Sequence, residues 1–359
     1  MSNRLPESAK LPDIGKISPE IFDELIFPHL GKKSKSVLVR PQHGVDIGII
    51  DIGGGKVMAI TTDPVFIVPE YGFERAAWFA IHILCSDAVT SGLKPSYLSI
   101  DLNLPLSMTK EQLEIVWKKI DSECKKMGVA IVCGHTARYT GCNYPMVGGA
   151  TVISVGKKSE YVTPQMAKKG DLVVITKGAA IEATGIFALA FKDRIREYFG
   201  EEFSRRAEKI FYQMSVVEDA LIAASVGTRE KGITSMHDAT ECGIWGGLYE
   251  VAKASKVGMR IEKEKIIVLD EVEKICSKFG MDPYSSISEG TLLITCKEKK
   301  VDLLLKKLSQ KKIPASIVGE VIPESKGIIL VEQGREKSLE HPRVDPFWQA
   351  FAKALEQGA

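Results

Sequence analysis

The chain has 359 residues, 45% of them hydrophobic and 26% charged, with a formal net charge of +2. That length exceeds one ordinary domain, the composition supports a packed core, and the even charge balance argues against the clustered basic face of a nucleic-acid binder. The N-terminal residues are polar and broken by prolines, unlike a signal peptide, and no apolar run approaches the roughly 20 residues of a membrane span. A cytoplasmic protein with neither membrane nor nucleic acid as partner is expected.

In chain order, Ser18-Pro19-Glu20 is a helix start with Ser18 as N-cap, followed by Ile21, Leu25 and Ile26 at helical spacing. Residues 45–51 and 56–62 are strands joined by Gly53-Gly54-Gly55 as a hairpin turn. A helix is predicted over 73–90, a strand over 97–104, an amphipathic helix over 109–126, and strands over 129–133 and 144–156. A polar stretch at 157–170 marks a domain boundary. Beyond it come a strand at 172–176, helices at 184–191 and within 201–225, a strand at 233–238, helices at 244–255 and 300–311, and strands at 315–323 and 328–332. The divisions expected are 1–165, 166–345 and a helical tail at 346–359. Strands and helices mix in both halves without regular βαβ alternation, which predicts an α+β fold.

Cys85, Cys124, Cys133, Cys142, Cys242, Cys276 and Cys296 contain no CxxC pair, so buried free thiols are expected and a zinc site is not. Gly53-Gly54-Gly55-Lys56 fails the spacing of a phosphate loop, because Val57 stands where Ser or Thr is required. His43 and His82 have no partner at ligand spacing.

Four aspartates stand out where a strand is expected to give way to a loop: Asp46, Asp63, Asp87 and Asp238, each flanked by small or apolar residues. A carboxylate in such surroundings is costly to bury unless a positive group neutralises it, and Mg²⁺ shared with substrate phosphates is a common solution. Taken singly, each is better read as the cap of a turn or helix.

The words around them form an ordered series. His237-Asp238-Ala239-Thr240-Glu241-Cys242-Gly243 precedes a helix, Thr61-Thr62-Asp63 ends an apolar strand, and Ser86-Asp87-Ala88 leads to Gly92-Leu93-Lys94-Pro95. Cys133-Gly134-His135-Thr136-Ala137 and Ser288-Glu289-Gly290-Thr291 complete the set. Over roughly residues 40 to 335 the chain resembles the aminoimidazole-ribonucleotide synthetase (PurM-like) superfamily, with its nearest likeness to the HypE-like members. The resemblance implies a two-domain fold whose N-terminal domains pair into a β-barrel across a homodimer. It implies ATP as cofactor, with Mg²⁺ held by Asp46, Asp63, Asp87 and Asp238, and with Gly134, His135, Thr136 and Thr240 facing the nucleotide. A small-molecule or amide-type substrate is then expected, with a protein partner as in maturation factors as a further option.

The pattern also departs from the family. Ile47 replaces a second aspartate after Asp46, His135 stands where an acidic residue is usual, and Glu241 replaces an arginine of several members. The C-terminal cysteine of HypE chemistry is not matched, since no cysteine follows Cys296 in these 359 residues. An ATP-dependent kinase- or synthetase-like enzyme is the first expectation. A nucleotide-binding maturation or regulatory protein with little turnover and a metal-dependent phosphohydrolase are the alternatives.

Overall fold

The computed structural model describes Leu11, Ile17 and residues 19–357. Ser18, the expected N-cap, lies outside the described residues, as do Gly358 and Ala359. From Pro19 the chain makes three short helical turns: α1 (Pro19–Ile21), a π turn over Phe22–Ile26 and a 3₁₀ turn over Phe27–His29.

Among the described residues the strands form two sheets. The first runs β1 (Val37–Val39), β2 (Gly48–Gly53), β3 (Lys56–Phe66), β6 (Met146–Lys157), β4 (Pro95–Leu104) and β5 (Ala130–Arg138), in that spatial order. All neighbours are antiparallel except β4 and β5, which α3 (Lys110–Met127) joins as a parallel pair. Thr109 caps α3 in a reciprocal box with Gln112, and Gly128 ends it in the left-handed conformation.

One face of this sheet is covered by α2 (Phe73–Val89) and α3. Leu98, Ile100, Leu102 and Leu104 alternate inward on β4, against Ala77, Ile81, Leu84 and Cys85 of α2. The other face carries Met58, Ile60, Tyr97, Ile153 and Val155 half-buried or exposed, and β5 is an edge strand with Val132 exposed.

The second sheet has the order β13 (Arg335–Ser338), β12 (Ile328–Glu332), β9 (Gly258–Glu262), β11 (Ala315–Ile322), β7 (Asp171–Thr176), β10 (Leu292–Lys297) and β8 (Ile233–Asp238). Near-continuous apolar runs such as Leu292–Lys297 show that both faces are covered. On one side lie α7 (Val217–Ala224) and α10 (Glu298–Gln310), and on the other α8 (Gly243–Ser255). Helix α2 packs against both the first sheet and α7, so Val65, Leu84 and Ile100 share one core with Val174, Met236 and Ile294. An aromatic layer around Phe187, Phe191, Phe279 and Phe347 joins α4 (Ile181–Ala190), α5 (Lys192–Phe199), α6 (Glu201–Ile210), α9 (Asp270–Phe279) and the terminal helix α11 (Pro346–Glu356).

Three local expectations are corrected. Strand β5 runs on to Arg138, because β4 pairs with it as far as Leu104 opposite Arg138, so Gly134, His135 and Thr136 are mid-strand. Asp63 is likewise inside β3, and Asp87 is in the last turn of α2, so neither stands at a strand end. Of the seven cysteines, five are buried, Cys142 is half-buried and Cys133 is exposed on the β5 edge.

Candidate metal and nucleotide site

The four aspartates, spread over nearly 200 residues of sequence from Asp46 to Asp238, meet where the two halves touch. Asp46 comes from the loop before β2, where Gly44 lets the chain pass against α8. A Cβ on Gly44 would lie 2.7 Å from the Glu250 Cβ, and its φ is +68°. Asp63 points from β3 toward α2, on the same side as buried Thr61, whose hydroxyl donates to Asp87 Oδ2 at 3.2 Å. Asp238 closes β8 and is fully buried. Ile47, in place of a second aspartate, is 1% exposed among Val39, Val45 and Ile49, so a carboxylate there would enter an apolar core.

Electrostatics mark the cluster as short of positive charge. Burial, then the carboxylates of Asp238, Asp63 and Asp46, push the Asp87 pKa well above the usual range. Burial and Asp46 raise Asp238 to about 6, with His237 opposing. Apart from its own backbone N–H, Asp238 has no neutral donor among the described residues, and its approach to Asp87 is a hydrogen bond only when one of the two carries a proton. A divalent cation resolves both conditions at once, and four hard oxygen donors suit Mg²⁺.

Sequence reasoning missed the rest of the acidic constellation. Glu289 and Glu182 line its second-sheet side, and burial raises both, Glu182 to about 7. Glu182 was visible as a lone carboxylate in the apolar helix Ile181–Ala190, and Glu289 sat in a quoted word without a role. His237 is 2% exposed, with Nε2 2.7 Å from Glu250 Oε2 and Nδ1 3.4 Å from Asp46 Oδ2. Burial alone would lower its pKa, but Glu250, Asp46 and Asp238 raise it to about 9. Asp345, at the start of α11, accepts from the Cys242 N–H at 2.7 Å and fixes the C-terminal segment over the start of α8.

Thr240 lies two residues after Asp238, its carbonyl accepting from Ser288 and Gly243 N–H groups at 3.2 and 3.1 Å. Gly134, His135 and Thr136 are not brought to the aspartates within one chain. Asp63 pairs with Ala150, Ala150 with Ile100, and Ile100 with Gly134, which sets Gly134 three strand spacings, about 14 Å, from Asp63. His135 instead contacts the Tyr139 hydroxyl at 3.0 Å on the exposed edge. Gly134 has a reason to be glycine inside one chain, since its Cβ would lie 2.2 Å from the Ile100 carbonyl oxygen.

The family descriptions "AIR synthase related protein, N-terminal domain" and "AIR synthase related protein, C-terminal domain" match residues 44–157 and 168–332. The chain belongs to the AIR synthase-related family. Among its relatives, a protein of Methanocaldococcus jannaschii named for hydrogenase expression/formation is 24% identical over 92% of this chain and 96% of its own length. A selenide, water dikinase of the same organism is 29% identical over 64% of this chain and 66% of its own. Two solved structures share the fold. HypE in a HypE–HypF complex has a TM-score of 0.67 at 24% identity, covering 83% of this chain and 93% of that one. HypE in complex with ATP has a TM-score of 0.58 at 19% identity, covering 93% and 97%. The two-domain, mixed α+β PurM-like fold is therefore this chain's fold. Among the described residues no helix is long and apolar enough to cross a membrane.

Proposed function

We propose that this chain is an ATP- and Mg²⁺-dependent enzyme that phosphorylates or otherwise activates a small-molecule or amide-type substrate in the cytoplasm. The observation that carries the reading is the convergence of Asp46, Asp63, Asp87 and Asp238 from four separate elements, with Asp238 fully buried among carboxylates. Related proteins named as a dikinase and crystallised with ATP support nucleotide use.

In this reading the four aspartates hold Mg²⁺, which when bound neutralises phosphate oxygens. The chain's own residues position and insulate the site. Thr61 orients Asp87 through its hydroxyl, and Gly44 permits Asp46 to approach α8. Thr240 stands at the turn into α8 and faces the nucleotide. The proposed division is a nucleotide-binding and dimerisation domain over 1–165, a second α/β domain over 166–345 and a helical tail over 346–359.

A homodimer in which two N-terminal sheets close into a barrel accounts for the uncovered face and the bare β5 edge. Gly134, His135 and Thr136 on that edge then reach a nucleotide site across the pairing. Light scattering that returns only monomer at micromolar concentration contradicts this pairing.

The activity is tested by following ADP release from ATP and Mg²⁺ with and without a panel of small amide, carboxylate and phosphate-ester acceptors. ADP that forms only when an acceptor is present supports the enzyme reading. ATP bound without turnover favours the second reading, a maturation factor that presents a nucleotide-dependent surface to a protein partner. That second reading is favoured by the likeness to HypE in its complex with HypF and by His135 and Glu241 in place of the family's usual residues. Phosphate released from many esters without ATP points to a phosphohydrolase.

A further inference from the structure

His237 occupies an unusual position in the carboxylate cluster. Its Nε2 is 2.7 Å from Glu250 Oε2, and because a carboxylate only accepts, that nitrogen carries the proton. The other ring nitrogen, Nδ1, has no hydrogen-bond partner among the described residues and faces two carboxylates, at 3.4 Å from Asp46 Oδ2 and 4.0 Å from Asp238 Oδ1. Asp238 is itself fully buried beside Asp87. In a neutral ring a lone pair would thus point at two anionic groups, an arrangement relieved either by a proton on Nδ1 or by a metal cation between the three groups.

The spacing suits a metal ion. Ligand atoms from Asp46, His237 and Asp238 all lie within 4.8 Å of one another. Two donors each about 2.1 Å from one ion stand between about 3.0 and about 4.2 Å apart, and both distances from Nδ1 fall in that window. The arrangement behind the ring matches as well, because a carboxylate that takes the far N–H of a histidine fixes its tautomer and strengthens it as a ligand. Glu250 does this from α8, and the close seat of Gly44 on Glu250 carries Asp46 to the same place.

We propose that His237 Nδ1, Asp46 and Asp238 form a mixed nitrogen–oxygen site for a divalent first-row transition ion, with Glu250 as the positioning residue. The proposal rests on the reading of Asp46 and Asp238 as metal ligands and assigns one position in that cluster to an ion softer than Mg²⁺. An imidazole donor favours such ions, whereas Mg²⁺ prefers oxygen alone. Asp63 and Asp87 are left with oxygen donors only.

The test is pulsed EPR on the full chain loaded with Mn²⁺, alone and with ATP, alongside Mn²⁺ and Mg²⁺ binding isotherms. Wild type is expected to show coupling from one histidine nitrogen. His237→Gln should abolish that coupling and lower the Mn²⁺-to-Mg²⁺ affinity ratio at least tenfold. Glu250→Gln keeps the shape of the side chain and should weaken Mn²⁺ binding by about 10- to 100-fold. Because the wild-type spectrum needs no variant, a failure of His237→Gln to fold leaves the test intact. Mn²⁺ bound through oxygen ligands alone means that the His237 contacts are only an ion pair between the two halves, and overturns this assignment while the carboxylate site stands. Wild type that binds neither Mn²⁺ nor Mg²⁺, even with ATP, overturns both.

Discussion

Glu182 shows how an uncompensated carboxylate shapes stability. Burial raises its pKa from 4.5 to about 7, helped by the charges of Asp345, Asp238 and Glu241 and opposed by the Glu289 N–H. A group whose folded pKa is raised holds its proton more tightly in the folded state. Its contribution is therefore present below about pH 4.5 and lost as the pH rises through about 7. Glu182→Gln removes that titration while the amide oxygen still accepts from Glu289. In metal-free protein the variant should gain roughly 2 kcal/mol over wild type at pH 8, with part of the side chain in solvent, and under about 0.5 kcal/mol at pH 5. Denaturant melts at the two pH values measure it, and an equal gain at both would contradict the cause given. A second residue-scale feature is the buried pair Lys177–Asp219, 3.0 Å apart, in which Lys177 also donates to the Ser215 carbonyl. Nothing in the local sequence marks it, because its two members are 42 residues apart and meet only through packing.

At the scale of elements, the site depends on how the loop before β2 seats on α8. Gly44→Ala places a methyl group against Glu250 and strains a left-handed backbone, at roughly 1 kcal/mol. The loop must then retreat and take Asp46 with it. Calorimetry should show at least a tenfold loss of Mg²⁺-dependent ATP binding with far-UV circular dichroism unchanged. Unchanged affinity would mean that Asp46 is not part of the site. The same scale explains what was legible in the sequence. Asp46, Asp63, Asp87 and Asp238 stood out because a carboxylate in an apolar run is conspicuous, and the structure places them together. The word Gly134-His135-Thr136 was legible, but its place on a bare edge strand was not. That place follows from the parallel pairing of β4 with β5, a long-range contact that leaves no periodic trace. His237 went unassigned because its partner Glu250 lies on a different element, and only the fold turns the two toward each other. Helix α9 (Asp270–Phe279) was missed in a stretch whose apolar residues are sparse, although Val272, Ile275 and Cys276 bury its inner face.

For the whole molecule, the two sheets share α2 as a common layer, which brings the first half's Asp63 and Asp87 beside the second half's Asp238. Neither half alone contains the cluster. The proposed cation and nucleotide site would therefore form only in the assembled chain. The direct measurement is calorimetric titration of ATP into the full chain, first with Mg²⁺ and then with EDTA, for wild type and Asp63→Asn. Micromolar binding that requires Mg²⁺ and weakens at least tenfold in the variant is predicted. Binding that persists in EDTA, or no heat with any divalent ion, would contradict the assignment of these aspartates to metal and ATP.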